Sequence, residues 1–472
     1  MGWLLWVSIM NSALQSLSRR SLLVLGVRGS LGIALASLFP LRSAWAVRKK
    51  ESKEAAAIVK NIRLPSFPYR SVRVSLPLDP KSVDAREIIQ REVDVLNRIG
   101  GGRVIVSPGS WNIAGSLRLT SNIELHLEAG TTLLFSDDPD HYLPPVLTRW
   151  EGTEVFGYSP FVYAYQAHNV AITGHGTISG NRSSKTSKWG WKDAGQQREL
   201  RTSGRDGEPV HDRIYGERGM LHPSLIQFFG CSSVLVEGIA TVDALFWGVH
   251  LVYSNDVTVR GITVDSPQSN NDGIDIDSSY RVLVENCTFR TGDDSIAIKS
   301  GRDRDGRSIG KPSEEIVIRD CVMHEVKSAA IAIGSEMSGG VRNVFVDRCV
   351  MKNVETVLDI KSNFDRGGVV ENVRVSNLSV ERSETVFEVT TVYHGYMGGT
   401  HGPLIRDIRL EDVRVAHSVR GVVIKGAPQS PVEDVSIDRL RVETCGLPTQ
   451  IENAKGLSFT RSIMNGQAVE WT

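Results

Sequence analysis

Asp272 lies in the run Asn270-Asn271-Asp272-Gly273-Ile274-Asp275, and Asp293 and Asp294 follow in Thr291-Gly292-Asp293-Asp294. The step between the two clusters is roughly 22 residues, the length that one turn of a parallel β-solenoid consumes. The spacing therefore predicts that both clusters occupy the same angular position on successive turns, one strand spacing (~4.8 Å) apart. Carboxylates crowded in this way cannot all ionise, so one keeps a proton while its neighbours stay charged. A proton donor beside a charged base is the pair that hydrolysis of a glycosidic bond requires. Either motif alone says less. Asn271-Asp272-Gly273 is foremost a turn sequence, and Gly292-Asp293-Asp294 also suits a solvated corner or half of a calcium site. The one-turn spacing favours chemistry, and His250, about one turn earlier after Phe246-Trp247, is either a substrate contact or a satisfied core histidine.

The elements that must position these residues repeat along the C-terminal two thirds of the chain. Two alternating apolar residues, a short polar step and two more recur as Val257, Val259, Ile262, Val264, then Val282, Val284, Cys287, Phe289, then Ile316, Ile318, Cys321, Met323, then Val344, Val346, Cys349, Met351. Further copies begin at Val373, Ile408 and Val435, and weaker ones at Ile123, Val170 and Val234. Alternation within each strand, with loop insertions of varied length between strands, predicts an all-β chain wound as a parallel β-helix. An immunoglobulin-like array would also alternate, but it would show hairpin turns and domain-length breaks. An open solenoid needs covered ends. Residues 84–99 have helical spacing in Ile88, Ile89, Val93 and Leu96, with Asp84 as N-cap and Gly100-Gly101-Gly102 as a stop, and this N-terminal helix is expected to seal the first turn.

Ahead of it, Ser18-Arg19-Arg20-Ser21-Leu22-Leu23, an apolar stretch and Ala44-Trp45-Ala46 read as a twin-arginine export signal with its cleavage site. The expected organisation is a signal at 1–46, an N-terminal extension at 47–83 and a β-helix domain at 84–472, with Met1 and Met10 both possible starts. The mature protein is then exported to the periplasm or beyond, with no membrane association once the signal is cut. Lysine plus arginine number 54 and aspartate plus glutamate 54, so no global field steers a polyanion and nucleic acid is not an expected partner. Cys287, Cys321 and Cys349 recur at one place in the repeat and read as small core residues; no pair has the spacing of a zinc site, and neither metal nor cofactor is expected. A monomer is expected.

At Asn270 to Asp275 and Gly292 to Asp294 the chain resembles glycoside hydrolase family 28, the polygalacturonases and their relatives. The likeness runs from about Gly100 to the C-terminus and takes in Pro145 to Gly152, Trp189-Gly190-Trp191 and Gly334-Ser335-Glu336-Met337-Ser338-Gly339-Gly340, a stretch similar to bacterial exo-acting members. The resemblance implies a right-handed parallel β-helix and an inverting hydrolase of pectin-type polysaccharide. Asp293 would be the general acid, with Asp272 and Asp294 orienting and deprotonating the water. It further implies that Lys361 and Glu336 contact substrate. Trp189, Trp191 and Trp150 are either sugar-stacking platforms or packing over the solenoid. Three positions depart from the family: the usual Gly-His-Gly is here Gly334-Ser335-Glu336, as in part of the family, Asp359 stands two places before Lys361 where typical members carry arginine, and His222 stands where exo-acting members usually have arginine. Asp359 is expected to pair with Lys361 or to hydrogen-bond a neutral sugar, and in either case to weaken capture of a carboxylate. The first reading is therefore an exo-acting polygalacturonase cutting α-1,4-galacturonosyl bonds. The alternative is a hydrolase of rhamnogalacturonan or another decorated pectin; a lyase would need a calcium cluster and a basic proton abstractor, and a non-catalytic glycan-binding β-helix would have no use for paired aspartates. Residues 180–221 form a long insertion that is a candidate blocker of one end of the groove.

Overall fold

The structure, a computed structural model, describes residues 52–75, 84–185, 187–190, 194–216 and 221–469. The candidate signal at 1–46 and Trp191 lie outside the described residues. A single 31-stranded sheet winds through the molecule, and nearly all of its pairings are parallel. One turn consists of Ile274–Asp277, Tyr280–Glu285 and Thr288–Thr291, and the next turn lays Ile296–Lys299, Ser313–Arg319 and Val322–Gly334 upon them. The register stacks Val257 on Val282, Ile316, Val344 and Val373, so each inward position meets its own kind in the next turn and a continuous apolar column results. Cys287, Cys321 and Cys349 sit in that column, buried and unpaired.

One corner of every turn takes a left-handed residue: Gly238, Gly261, Asn286, Asp320, Arg348, Asn377, Asp412 and Arg439 all have positive φ. Glycine, asparagine and aspartate adopt this conformation readily, whereas arginine pays a steric cost. Both arginines offset it by reaching back one turn, Arg348 to Asp320 at 2.7 Å and Arg439 to Asp412. The stack is thus laced along its corners as well as through its core.

Helix α1 (Lys53–Asn61) lies on the outside of the solenoid, where Ala55 and Ile58 cover Leu283, Val317 and Phe345. The sequence reading left this segment as an unassigned extension. The strand Ser71–Val74 in the same extension pairs in parallel with Gly102–Val106, so the sheet begins before residue 84. Helix α2 (Ala85–Arg98) is the expected cap. The Asp84 carboxylate accepts from the Arg86 N–H at 2.9 Å, and Ile89, Val93 and Leu96 bury one face against the first turn. Its stop is steric as well as conformational: a Cβ at Gly101 would stand 2.3 Å from the Asn122 carbonyl oxygen. The far end closes with the antiparallel pair Ser462–Met464 and Gln467–Val469. Among the described residues no helix is long and apolar enough to cross a membrane.

One face of the solenoid forms a groove. Its outward residues run in register as Gln227, His250, Asp275, Ala297, Ala332, Asp359, Glu388, Val423 and Gln450. An antiparallel hairpin (Val146–Trp150 with Thr153–Gly157) and helix α3 (Ala194–Asp206) roof the early part. Arg149 reaches down to Asp277 at 3.0 Å, the Thr148 hydroxyl donates to Gln227 Oε1 at 2.8 Å, and Trp150 stacks on Phe246 within a cluster that includes Leu200 of α3. Gln227, His250 and Asp277 are accordingly buried, Asp359 and Glu388 are half-buried, and Gln450 is exposed. The groove is covered before the aspartate clusters and open beyond them.

Candidate active site

The register confirms the spacing argument. Ile274 pairs with Ile296, so Asp272 and Asp294 stand at equivalent places before their strands, and the Gly273 N–H donates to the Asp294 carbonyl at 3.0 Å. One carboxylate oxygen from each of Asp272, Asp293 and Asp294 lies within 4.8 Å of the other two. Their environments differ. Burial, and then the charges of Asp275 and Asp293, push the Asp272 carboxyl well above the usual carboxylate range. Burial and the neighbouring Asp294 also raise Asp293, the most accessible of the three. Asp294 is as buried as Asp272, but Lys361 and Lys299 outweigh that penalty, and the Ser328 hydroxyl at 2.6 Å and the Ala329 N–H at 3.0 Å both donate to its Oδ1, so its charged form is favoured. Carboxyls shifted in opposite directions, Asp272 and Asp293 upward and Asp294 downward, thus face the same space.

Two ammonium groups hold this arrangement. Lys361 Nζ lies 3.2 Å from Asp294 and 3.2 Å from Asp359. Lys299 Nζ lies 3.6 Å from Asp272, 3.6 Å from Asp275 and 3.5 Å from Glu336, with the Trp247 ring beneath it at 4.7 Å. Both lysines are buried, and the surrounding carboxylates keep them charged. Across the pocket Glu336 accepts from Arg302 and from the Ser335 hydroxyl at 2.9 Å. Arg302 also meets Glu151 at 3.5 Å, and Arg366 pairs with Asp303, the first residue of helix α4 (Asp303–Ile309). Burial opposes ionisation of Glu336, but Arg302, Lys299 and Arg366 hold it well below the usual carboxylate range. Gln197 and Arg201 of α3 bind Glu151 from the roof, and Tyr393 and His394 border the pocket on the open side.

Other expected site residues are placed differently. His250 is fully buried beneath the pocket, edge-on to Trp247 and 3.7 Å from Asp277, with its pKa lowered by burial, in the place of a core histidine that supports the floor. Trp189 packs against Tyr142, Tyr158 and His222 in the core, and Trp150 packs beneath the roof, so both are packing residues. Asp359 forms the expected pair with Lys361, and burial, partly offset by that lysine, raises it to about 6. Lys299, Arg302, Arg366, Arg201 and Glu151 were not identified from sequence. Lys299 left one signal, a cation on the outer face of the strand that follows Asp294; the others sit in insertions whose path the repeat does not dictate.

A parallel β-helix that gathers carboxyls with opposed pKa shifts in one roofed pocket holds the acid and base that a glycoside hydrolase needs. Residues 118–462 match the model of Glycosyl hydrolases family 28. An exopolygalacturonase structure from Thermotoga maritima is 36% identical, covers 88% of this chain and 96% of its own, and superimposes with a TM-score of 0.79. The polygalacturonase structure from Erwinia carotovora ssp. carotovora is 25% identical over 83% of this chain and 98% of its own, with a TM-score of 0.64. A probable polygalacturonase from Vitis vinifera is 27% identical over 375 residues, 76% of this chain and 71% of that protein. The chain belongs to glycoside hydrolase family 28, and its fold is the right-handed parallel β-helix of that family.

Proposed function

We propose that this protein is an exported, exo-acting hydrolase of galacturonosyl bonds in pectin-type polysaccharide. The observation that carries the reading is the trio of carboxylates within 4.8 Å of one another, displaced in opposite directions, at the point where the groove roof ends. Asp293 donates its proton to the glycosidic oxygen as the bond from the anomeric carbon breaks. Asp294 takes a proton from the water that adds to that carbon, and Asp272 orients the water. Carboxylates this close are commonly associated with retention. Here neither neighbour suits the part of nucleophile: Asp294 is already held by Ser328, Ala329 and Lys361, and burial beside Asp275 and Asp293 disfavours the charged form of Asp272, so water is the attacking group and inversion is the expected outcome.

Exo action is supported by the roof, since Glu151 and Arg201 stand beside the cluster in the path of a chain lying along the groove. The T. maritima relative, called an exopolygalacturonase, supports the same reading. The twin-arginine pattern supports export. The test is incubation with homogalacturonan and rhamnogalacturonan, with products sized by mass spectrometry and the first-formed anomer read by proton NMR. Single sugar units of inverted configuration are expected; long oligomers among the earliest products refute exo action, and a retained anomer refutes the water attack.

A further inference from the structure

Beyond the carboxylate cluster the outward row of the groove continues as Asp359, Glu388, Val423 and Gln450. Asp359 and Glu388 are neighbours one strand spacing (~4.8 Å) apart, both half-buried. They form the floor over which the sugar on the open side of the scissile bond must lie. The nearest cation is already committed, with Lys361 Nζ 3.2 Å from Asp294 on one side and 3.2 Å from Asp359 on the other. The next lysine of that row, Lys425, stands two strands further along, ~10 Å from Lys361 and past the adjoining sugar. The roofed side is balanced instead, for Arg201, Arg302 and Arg366 stand there against Glu151, Glu336 and Asp303. A uronate carboxylate therefore meets guanidinium groups on the roofed side, and on the open side two carboxylates, Asp359 and Glu388, against one ammonium that is already shared with Asp294.

Resting on the proposed galacturonosyl hydrolase, we propose a finer substrate class: an acidic sugar in the roofed pocket joined to an uncharged one on the open side. The uncharged unit is either a neutral pyranose or a uronate whose carboxyl is esterified. Both remove the charge that Asp359 and Glu388 would repel, and both leave hydroxyl or carbonyl groups that those carboxylates or Lys361 can bind.

The test compares three disaccharides that share a galacturonosyl unit for the pocket: digalacturonate, digalacturonate methyl-esterified on the open-side unit, and galacturonosyl-rhamnose. Released galacturonate gives kcat/KM for wild type, for Asp359→Asn, for Glu388→Gln and for the double variant. At least one uncharged substrate is expected to exceed digalacturonate by on the order of tenfold or more, and the double variant should narrow that ratio by a similar factor. Cleavage of the ester alone identifies esterified uronate as the open-side unit; cleavage of the rhamnoside alone identifies a neutral sugar. Digalacturonate cut as well as both others, or a ratio unmoved in all three variants, overturns the inference. If none of the three releases galacturonate, the galacturonosyl hydrolase reading itself falls, and this one with it.

Discussion

Where the chain enters the groove strands, Asp272, Asp293 and Asp294 crowd together and outnumber their cations; where it leaves them, Glu336 and Glu151 are each gripped by arginines. Both flanks are buried and highly charged, yet their groups are displaced differently. On the entering flank two carboxyls are raised and one lowered, while on the leaving flank Glu336 is simply held ionised. Crowding like charges stores a proton that can be given away, and pairing opposite charges fixes geometry. One groove thus separates the chemistry from the frame that holds it, using the same residue types on opposite edges of the same strands.

The largest expected effect tests the entering flank. Asp293→Asn keeps the shape but has no proton to give, so kcat should fall by about a thousandfold, within the ~10² to 10⁴ range of general acid catalysis, with KM little changed. A variant keeping a tenth of wild-type kcat would move the acid role elsewhere. Asp272→Asn and Asp294→Asn should be comparably severe.

Breaking the leaving flank should instead cost stability. Arg302→Met strips Glu336 of its main partner in a buried setting, and roughly 3 kcal/mol should be lost in denaturant unfolding. The corner pair Arg348–Asp320 is about a third exposed, and Arg348→Ala should cost under ~1 kcal/mol. Equal losses at the two sites would erase the distinction between a buried frame and surface lacing.

pH sharpens the comparison further. In the proposed roles, Asp293, raised, serves as an acid only below its displaced pKa, so activity should be lost as pH rises through it; Asp294, lowered, serves as a base only above its own, so activity should be lost as pH falls through that. Lys361→Met removes the chief influence lowering Asp294, and the acid limb of kcat/KM should shift to higher pH. An unmoved acid limb would assign it to another group. Asp359, raised to about 6 and facing Lys361, Asp294 and Glu388, loses its charge below that value, so any bias against an open-side carboxylate should relax as pH drops past about 6.

The smallest effect expected is none at all. Three carboxylates within 4.8 Å would suit a divalent cation, but Lys299 and Lys361 already supply the balancing charge. Chelator should leave the rate unchanged. Activity lost to chelator and restored by calcium would replace the acid/base reading with a metal-dependent one.

The aspartates, the cysteine column and the capping helix were legible because each follows from the repeat: a fixed step in sequence becomes a fixed angle in space. The leaving flank was not. Arg201, Arg302 and Arg366 lie on insertions, and the number of residues in an insertion does not say where its side chains return. His250 and Trp189 stayed open between two readings for a related reason. Their types suit sugar contact and buried packing equally, and only the roof, built from residues far away in sequence, decides between the two. Asp359 was legible because its neighbour Lys361 is two residues along one strand and must share its face.

The roof over the early groove has a consequence for what an observer of the whole polymer would see. Under the proposed exo action, the roofed end of the groove sends each freed sugar back along the path by which the chain end arrived, so the chain has to back away between cuts and the freed sugar competes with the next end for the same room. A long polymer is then shaved and never severed in its middle. Solution viscosity, which follows chain length, should stay almost level while reducing ends accumulate.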